Sequence, residues 1–273
     1  MPVISTNNAA NSALNYLNNN SNMESNELAK LASGSRIVQA SDDAAGLAIG
    51  TQLQASVTTY QQDQTNVQQG TAILQTSDGA LAQINNILQR MMSLATEAGS
   101  GQVTNSQRTQ DINTEYSQLQ SEVSSIVSST RYAGQNVLSG SFLQGVNFLV
   151  GTTSSDTVNV TISSVSLNSL GITGSVTTAS DALTAITALN SAINTVTQER
   201  AKIGAYESRF NFSLQDIQTN VQNISSAQSV IMDADVASVK SNLSSTDVKT
   251  QASVAALSQA SQLPQELLRL IQS

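Results

Sequence analysis

The fold is decided by residues 186–231, which read ITALNSAINTVTQERAKIGAYESRFNFSLQDIQTNVQNISSAQSVI. Along this stretch one set of side chains recurs alternately three and four residues apart without a break: Ile186, Leu189, Ile193, Val196, Arg200, Ile203, Glu207, Phe210, Leu214, Ile217, Val221, Ile224, Gln228 and Ile231. This heptad spacing is typical of a long helix packed lengthwise on other helices. At about 1.5 Å per residue, the stretch would extend roughly 70 Å. A helix with one narrow apolar stripe needs a partner to cover it.

Two other stretches provide such partners. The first is Leu81, Ile84, Leu88, Met91, Ala95 and Ala98, and the second, after the turn Gly99–Gly101, is Ile112, Tyr116, Leu119, Val123 and Ile126. Three amphipathic runs in one chain predict an antiparallel bundle. We predict that its seam is formed by Leu81, Ile84, Leu88, Met91, Ile193, Val196, Ile203, Phe210, Leu214, Ile217, Val221 and Ile224.

The polar seam members Arg200, Glu207 and Gln228 have two interpretations. Single buried polar residues can specify the register of a coiled coil, or these side chains can face a gap in the bundle. The sequence leaves both open.

Composition excludes several classes of function. Charged residues are 11% of the 273, against about 25% in ordinary domains. The net charge is −8 and the basic residues form no cluster, which argues against a nucleic-acid partner. The chain has no His and no Cys, so the commonest general base and the thiolate metal ligands are missing. We therefore expect no enzyme, no cofactor and no metal.

The carboxylate pairs Asp42–Asp43 and Asp233/Asp235 are the candidates for acid–base or metal chemistry. Both lie at predicted helix boundaries, where Asp caps backbone N–H groups, so a structural role is favoured. The N-terminus has neither a basic nor an apolar signal region, and no apolar window reaches about 18 residues. If the protein leaves the cell, we expect it to do so by a route that does not cleave a signal peptide, and we expect no membrane insertion.

The overall pattern predicts a mainly α fold: a long antiparallel helical coiled-coil bundle formed by the N- and C-terminal arms, with a small β element between them. Helices are expected over 1–33, about 43–98, 107–129 and 180–231. Within 138–178, Thr157–Ile162 alternates polar and apolar residues, which predicts a hairpin or a three-stranded sheet.

Two surface features suggest subunit contacts. The apolar tail Leu267, Leu268, Leu270 and Ile271, with Leu263 before it, can fold onto its own protein or contact another subunit, and we favour the contact. Arg90 flanks the predicted stripe, where it can contact an adjacent subunit or form an intrahelical pair.

Several motifs in order resemble the bacterial flagellins. LASGSRI at 31–37 and SDDAAGLAI at 41–49 resemble the N-terminal flagellin signature, which continues in INNILQR at 84–90. IMDAD at 231–235 and ASQLPQELL at 260–268 resemble the C-terminal signature. The matches cover about 1–140 and 180–273.

The resemblance implies a protein that is exported unfolded and polymerises into the flagellar filament outside the cell. It implies an inner terminal coiled-coil domain (1–43 and 234–273), a helical rod domain (44–141 and 180–233) and a short β-rich variable segment (142–179). Its expected partners are further copies of itself, the flagellar export chaperone and type III export apparatus, and the filament cap and hook-filament junction proteins.

The family's epitope for the animal flagellin-sensing Toll-like receptor maps onto Leu88, Gln89, Arg90, Leu94 and Glu115. Ser35 stands where the family usually has Leu, Met92–Ser93 where Arg–Glu is usual, and Glu97 where Gln is common.

Two rival functions remain at this point. One is a hook-filament junction protein, a structural relative with the same terminal arms. The other is an enzyme or adhesin mounted on a helical stalk, which would need a reactive group of residues within 138–178, where Asp156 is the one charged residue.

Overall fold

The computed structural model of this chain describes residues 7–140 and 144–272, with the side chains of 263, 266–268 and 270–272 excepted. Its helices are α1 (Asn8–Ser33), α2 (Ala44–Gly99), α3 (Asn105–Gln107), a π-helical turn (Arg108–Ile112), α4 (Asn113–Ser129), α5 (Leu167–Leu170), α6 (Ala179–Met232) and α7 (Val236–Gln272). Its strands are β1 (Arg131–Tyr132), β2 (Gln135–Asn136), β3 (Gln144–Leu149) and β4 (Thr157–Thr161). The predicted fold class, mainly α with a small β element in the middle, is confirmed.

The described residues form two compact units. Unit 1 contains the residues up to Ala55 and those from Asn223 onward, and unit 2 contains Ser56–Gln222. The long helices α2 and α6 each contribute to both units.

Unit 2 has a continuous hydrophobic core along α2 and α6. The predicted seam residues that are fully buried are Leu81, Ile84, Leu88, Met91, Val196, Ile203, Phe210 and Ile217. Ile193, Leu214 and Val221 are half-buried and pack against the same core. Ile224 lies in unit 1 and is half-buried.

A second stripe of α6 is also buried, which the heptad pattern did not predict. It is formed by Ala182, Ala185, Ala192 and Glu199, which alternate along the helix with the seam members Leu189 and Val196. The buried face of α6 is therefore broader than a strict heptad seam. Alanine and glutamate carry little hydrophobic signal, which explains why the heptad pattern did not include them.

Side-chain pairs show that α2 and α6 run antiparallel in unit 2. The Arg200 guanidinium binds both carboxylate oxygens of Asp78, with Nε–Oδ1 at 2.8 Å and Nη2–Oδ2 at 3.2 Å. A Cβ atom added to Gly70 would lie 2.8 Å from the Phe210 ring. As the residue number rises on one helix, it falls on the other. The pair that Arg200 makes favours the register interpretation of this polar seam position.

Glu207, one heptad after Arg200, lies half-buried on the seam. Burial raises the pKa of its carboxyl, and the Asp78 carboxylate raises it further. Gln228, in unit 1, donates through Nε2 to Gln54 Oε1 at 2.6 Å. This bond joins α6 to α2 and favours the register interpretation there as well.

Arg108 organises the turn between α2 and α4. Its guanidinium is buried and donates to the carbonyls of Ala98, Ser100 and Val103 and to the Asn105 amide oxygen. These carbonyls have no partner within a regular helix, so the arginine takes the place of a cap. This role was not predicted, because an arginine is rarely buried and becomes so only where its donors are satisfied by groups that fold around it.

The β structure consists of two separate antiparallel pairs. β1 pairs with β2 through a turn in which Ala133 and Gly134 both have positive φ, 48° and 82°. β3 pairs with β4 in a longer hairpin. The hairpin packs on the helices through an edge-to-face contact between Phe148 and Phe210, with ring centroids 5.4 Å apart. Thr157–Thr161 is a strand as predicted, and the hairpin alternative is correct.

Glu199 ties the segment after β4 to α6. It accepts from the Ser163 backbone N–H at 3.2 Å and from Lys202 Nζ at 2.7 Å. Burial opposes the charged form, but these hydrogen bonds outweigh it and lower the pKa of Glu199.

Two glycines of α2 provide a matched test of this packing. We expect Gly70→Ala to lower the free energy of unfolding by about 1–3 kcal/mol, because the new methyl group overlaps the Phe210 and Phe148 rings. We expect Gly79→Ala to raise it by up to about 1 kcal/mol, because alanine favours the helix over glycine and nothing outside the backbone of the helix itself lies within 4 Å of the new Cβ. Chemical denaturation of both variants measures the difference, and equal effects would contradict the close α2–α6 contact.

Candidate assembly surface

Unit 1 differs from unit 2 in having almost no core. Among its described side chains, the buried hydrophobic residues are Ile37, Val239 and Ala260, and α1 has none. Its exposed large apolar side chains are Leu14, Tyr16, Met23, Leu28, Val38, Ile49, Val230, Val236, Val248 and Val254. Burying one such side chain stabilises a protein by about 1.5–3 kcal/mol. Covering these side chains with a partner would therefore be strongly favourable.

The two terminal helices pair with each other in unit 1 through amide side chains. Asn7 Nδ2 donates to the Ala260 carbonyl at 2.6 Å, and Asn20 Nδ2 donates to Ser253 Oγ at 2.8 Å. The later residue of the first helix pairs with the earlier residue of the last helix, which shows that α1 and α7 run antiparallel. Their pairing leaves most of the apolar side chains named above exposed.

The helix breaks of unit 1 lie side by side and are joined by backbone hydrogen bonds. The Arg36 N–H donates to the Met232 carbonyl at 2.7 Å, and the Ala234 N–H donates to the Gly34 carbonyl at 2.9 Å. Gly34 adopts φ 69°, a left-handed conformation that glycine tolerates best, and ends α1.

Side chains reinforce this junction. The Arg36 guanidinium donates twice to the Ile231 carbonyl, at 3.1 and 2.8 Å, and so caps the end of α6. The Ser35 hydroxyl lies 3.1 Å from the Met232 carbonyl. The segments 31–37 and 231–235, which the sequence analysis singled out separately, therefore meet in one junction.

The carboxylate pairs have structural partners. Asp43 accepts from the Gly46 N–H at 2.8 Å at the start of α2, and Asp235 accepts from the Ala237 N–H at 2.9 Å at the start of α7. Both are helix caps, as predicted.

The other two carboxylates do not cap helices. Asp42 accepts from the N–H groups of Gln39 and Val38, and these bonds lower the pKa of its carboxyl. Asp233, directly after the last residue of α6, accepts from the Ser229 hydroxyl of that helix. The described residues contain no group of three or more His, Cys, Asp or Glu side chains that could hold a metal ion.

Arg90 and Glu115 form an ion pair between α2 and α4, with Arg90 Nη2 2.7 Å from Glu115 Oε1. The intrahelical pair considered for Arg90 is therefore wrong, since the partner is 25 residues away on another helix. Both side chains remain substantially exposed, at 55% and 43%. The guanidinium can still contact a further molecule.

The five predicted epitope residues separate into two groups. Leu88 and Leu94 are buried in the core of unit 2 and present no surface to a partner. Gln89, Arg90 and Glu115 present polar groups at the surface. For these three, receptor binding stays a prediction.

The predicted tail contact lies outside the described side chains. α7 continues as a helix through this region to Gln272. The residues concerned are Leu263, Leu267, Leu268, Leu270 and Ile271. Within the part of the chain that the structure describes, no helix is long and apolar enough to cross a membrane.

Comparison with known proteins identifies both ends of the chain. The model of the bacterial flagellin N-terminal helical region matches residues 4–142, and that of the C-terminal helical region matches residues 186–271. The flagellar filament 30.7 kDa core protein of Treponema maltophilum is 33% identical, over 93% of each chain. A flagellin of Bacillus subtilis is 30% identical, over 98% of this chain and 99% of its own.

Solved structures agree with this assignment. The crystal structure of Bacillus cereus flagellin superposes with a TM-score of 0.51 at 30% identity, covering 60% of this chain and 94% of its own. A putative flagellar hook-associated protein from Vibrio parahaemolyticus superposes with a TM-score of 0.54 over 70% of this chain and 99% of its own. That protein is 13% identical, so the likeness is one of fold alone. The resemblance in the sequence motifs is thus confirmed, and the chain belongs to the bacterial flagellin family.

Proposed function

We infer that this chain is a structural subunit of the bacterial flagellar filament and self-assembles into a helical polymer used for swimming. The observation that carries this inference is that unit 1 has almost no core and leaves most of its large apolar side chains exposed in the single chain. Filament core proteins among the relatives support it. Large apolar side chains exposed in this number on one unit suggest an interaction surface, and further copies of the chain fit that need.

The finer features of this function are proposals that rest on family membership. We propose export through the flagellar type III apparatus without a cleaved signal peptide, with help from an export chaperone. The assembled chain would meet the filament cap and hook-filament junction proteins and would lie outside the cell. The division into domains 1–43 with 234–273, 44–141 with 180–233, and 142–179 is proposed on the same basis. Because the family is structural, we infer no catalytic activity.

The rival function, a hook-filament junction protein, predicts a different location. Immunogold labelling with an antibody against this chain is expected to mark the whole filament. Labelling confined to the filament base would favour the junction protein instead.

Limited proteolysis of the monomer tests the role of unit 1. We expect cleavage within roughly the first 40 and last 40 residues, while unit 2 survives, because few buried apolar contacts hold the terminal helices. In polymer, the same sites should become protected. Equal protection of the ends in monomer and polymer would contradict assembly through unit 1.

Leu28 tests the exposed apolar surface directly. Its side chain is 55% exposed, so Leu28→Asp should leave the melting temperature of the monomer nearly unchanged. In the polymer, the unpaired charge would be desolvated at every subunit, at a cost of several kcal/mol, and filaments should not form. The matched control Leu28→Met keeps the apolar surface and should polymerise.

We expect Leu268→Asp and Leu270→Asp, in the apolar tail, to block assembly in the same way. Sedimentation and electron microscopy measure the outcome, and normal filaments from the Asp variants would contradict the proposal.

Arg90 tests a second surface, in unit 2. We expect Arg90→Ala and Glu115→Gln to change the monomer's stability alike, by under about 1 kcal/mol, since each removes the same exposed ion pair. If Arg90 also contacts an adjacent subunit, Arg90→Ala should lower the filament melting temperature and the swimming speed more than Glu115→Gln does. Equal filament melting for the two variants would limit Arg90 to its pair with Glu115.

A further inference from the structure

The antiparallel pair of α1 and α7 has a groove along one side. The groove lies in unit 1 and has a volume of about 330 Å³. It is lined by Ala13, Tyr16, Asn20, Lys249, Ala252, Ser253 and Ala256. Because three of these seven residues are alanines, the groove is a hollow that the side chains of the two helices leave unfilled.

The amide and hydroxyl groups inside the groove are already paired. Asn20 Nδ2 donates to Ser253 Oγ at 2.8 Å, and Ser253 Oγ donates to the Lys249 carbonyl at 2.8 Å. The Tyr16 hydroxyl and the Lys249 ammonium have no partner among the described residues. An occupant that matches the groove therefore has apolar side chains for its interior and an anionic group for the ammonium.

The opposite side of the same helix pair carries two protruding apolar side chains, which we call the ridge. They are Leu14 and Val254, 44% and 52% exposed. Each follows a groove residue, Ala13 or Ser253, by one position, which is a rotation of about 100° around the helix axis. The rotation has the same sense on both helices, and in an antiparallel pair equal rotations lead to the same side. The ridge therefore faces away from the groove.

The groove and the ridge are complementary in shape but are different surfaces of the chain. A contact that places the ridge of one copy in the groove of another leaves each copy with one free surface for a further copy. Such a heterologous contact builds an open helical array whenever the rotation between copies does not close a ring. A second copy of this chain therefore supplies the apolar side chains that the groove lacks.

Charges on the two sides are complementary as well. Asp247 lies one heptad before Val254 on the ridge side, where it accepts from Gln251 Nε2 and forms no ion pair among the described groups. Lys249 lies one heptad before Ala256 on the groove side. When the α7 helices of two copies run in the same direction and Val254 of one lies level with Ala256 of the other, Asp247 lies level with Lys249. One register thus satisfies both the apolar and the charged groups.

We propose that the groove between α1 and α7 is filled in the filament by Leu14 and Val254 of a second copy, with Asp247 of that copy beside Lys249 at the edge of the contact. The proposal rests on the proposed function, because it requires self-assembly. It adds a direction to the exposed surface of unit 1: each copy presents its ridge to one neighbour and its groove to another.

Disulfide crosslinking of assembled filaments tests the direction of the contact. The parent sequence has no Cys, so the double variant Val254→Cys with Ala256→Cys carries the only thiols. Residues two apart on a helix do not face each other, so the two thiols cannot pair within one chain. After oxidation of filaments, we expect a ladder of linked chains beyond the dimer, and none from either single variant. Dimers alone, or no crosslinks in filaments that form normally, would overturn the contact.

Reversal of the two charges tests the register. We expect Asp247→Lys and Lys249→Asp each to raise the critical concentration for assembly of the full-length chain several-fold, because each places like charges together. The double variant with both substitutions restores opposite charges and should assemble at close to the parent concentration. Circular dichroism should show monomer melting nearly unchanged in all three variants, since neither side chain has an ion pair within the chain.

The outcomes separate this contact from the proposed function. Single variants that assemble like the parent, or a double variant no better than the single ones, would overturn the contact while self-assembly stands. A parent chain that forms no filaments on filament seeds would overturn the proposed function, and the contact with it.

Discussion

The antiparallel contact between α2 and α6 is the constraint on which the rest of the structure depends. Backbone hydrogen bonds alone stabilise α2 only marginally in water, because Gly70 and Gly79 lie in its interior and most helical stability in a protein comes from the packing of one face. The contact stabilises both helices by burying the side chains that face each other, but its depth varies along α6. Ile217 is the last fully buried residue of α6, and beyond it the seam members Val221 and Ile224 are half-buried. The side chains in the contact are therefore fully buried in unit 2 and half-buried in unit 1. For this reason, we expect unit 2 to be the more stable part of the single chain.

Polar groups in the contact fix how the two helices align. An apolar heptad seam tolerates a slip by one heptad, because the same types of side chain recur after seven residues. The two-point bond between Arg200 and Asp78 and the amide bond between Gln228 and Gln54 would both be lost in such a slip. Glu207 lacks a comparable stabilising charge, and the Asp78 carboxylate opposes its ionisation. Register in this contact thus comes from a few polar pairs, while most of the stability comes from the apolar row.

The sequence was sufficient to predict the long helices, their pairing and the β4 strand, because each depends on a periodic pattern of large apolar side chains. It was insufficient where a buried residue is small or charged, or where its burial depends on elements distant in the sequence. The alanines of the second stripe on α6 are buried through close approach of neighbouring elements and have no hydrophobic signal of their own. The β1–β2 pair is only two residues long on each side, and its turn places Ala133 at a positive φ that alanine seldom adopts. The burial of Leu88 was predicted from its place in the seam. The burial of Leu94 and the exposed apolar side chains of unit 1 outside the tail were not predicted, because both depend on which neighbouring elements cover a residue.

The two units also differ in the kind of polar bond that joins their helices, and this difference fits the proposed assembly. In unit 2, α2 is joined to α4 and α6 by ion pairs, Arg90–Glu115 and Arg200–Asp78. In unit 1, the side-chain bonds that join α1 to α7 and α2 to α6 come from the neutral amides of Asn7, Asn20 and Gln228, and the charged Arg36 bonds the junction between the helix ends. When another subunit covers a surface, removing water from a neutral amide that keeps its hydrogen-bond partner costs little free energy. Removing water from an exposed ion pair costs more, because both charges lose their hydration. In unit 1, the exposed apolar side chains would therefore be stabilised when another subunit covers them, and the neutral polar bonds would be destabilised little. For both reasons, unit 1 is the part of the chain best suited to burial in an assembly.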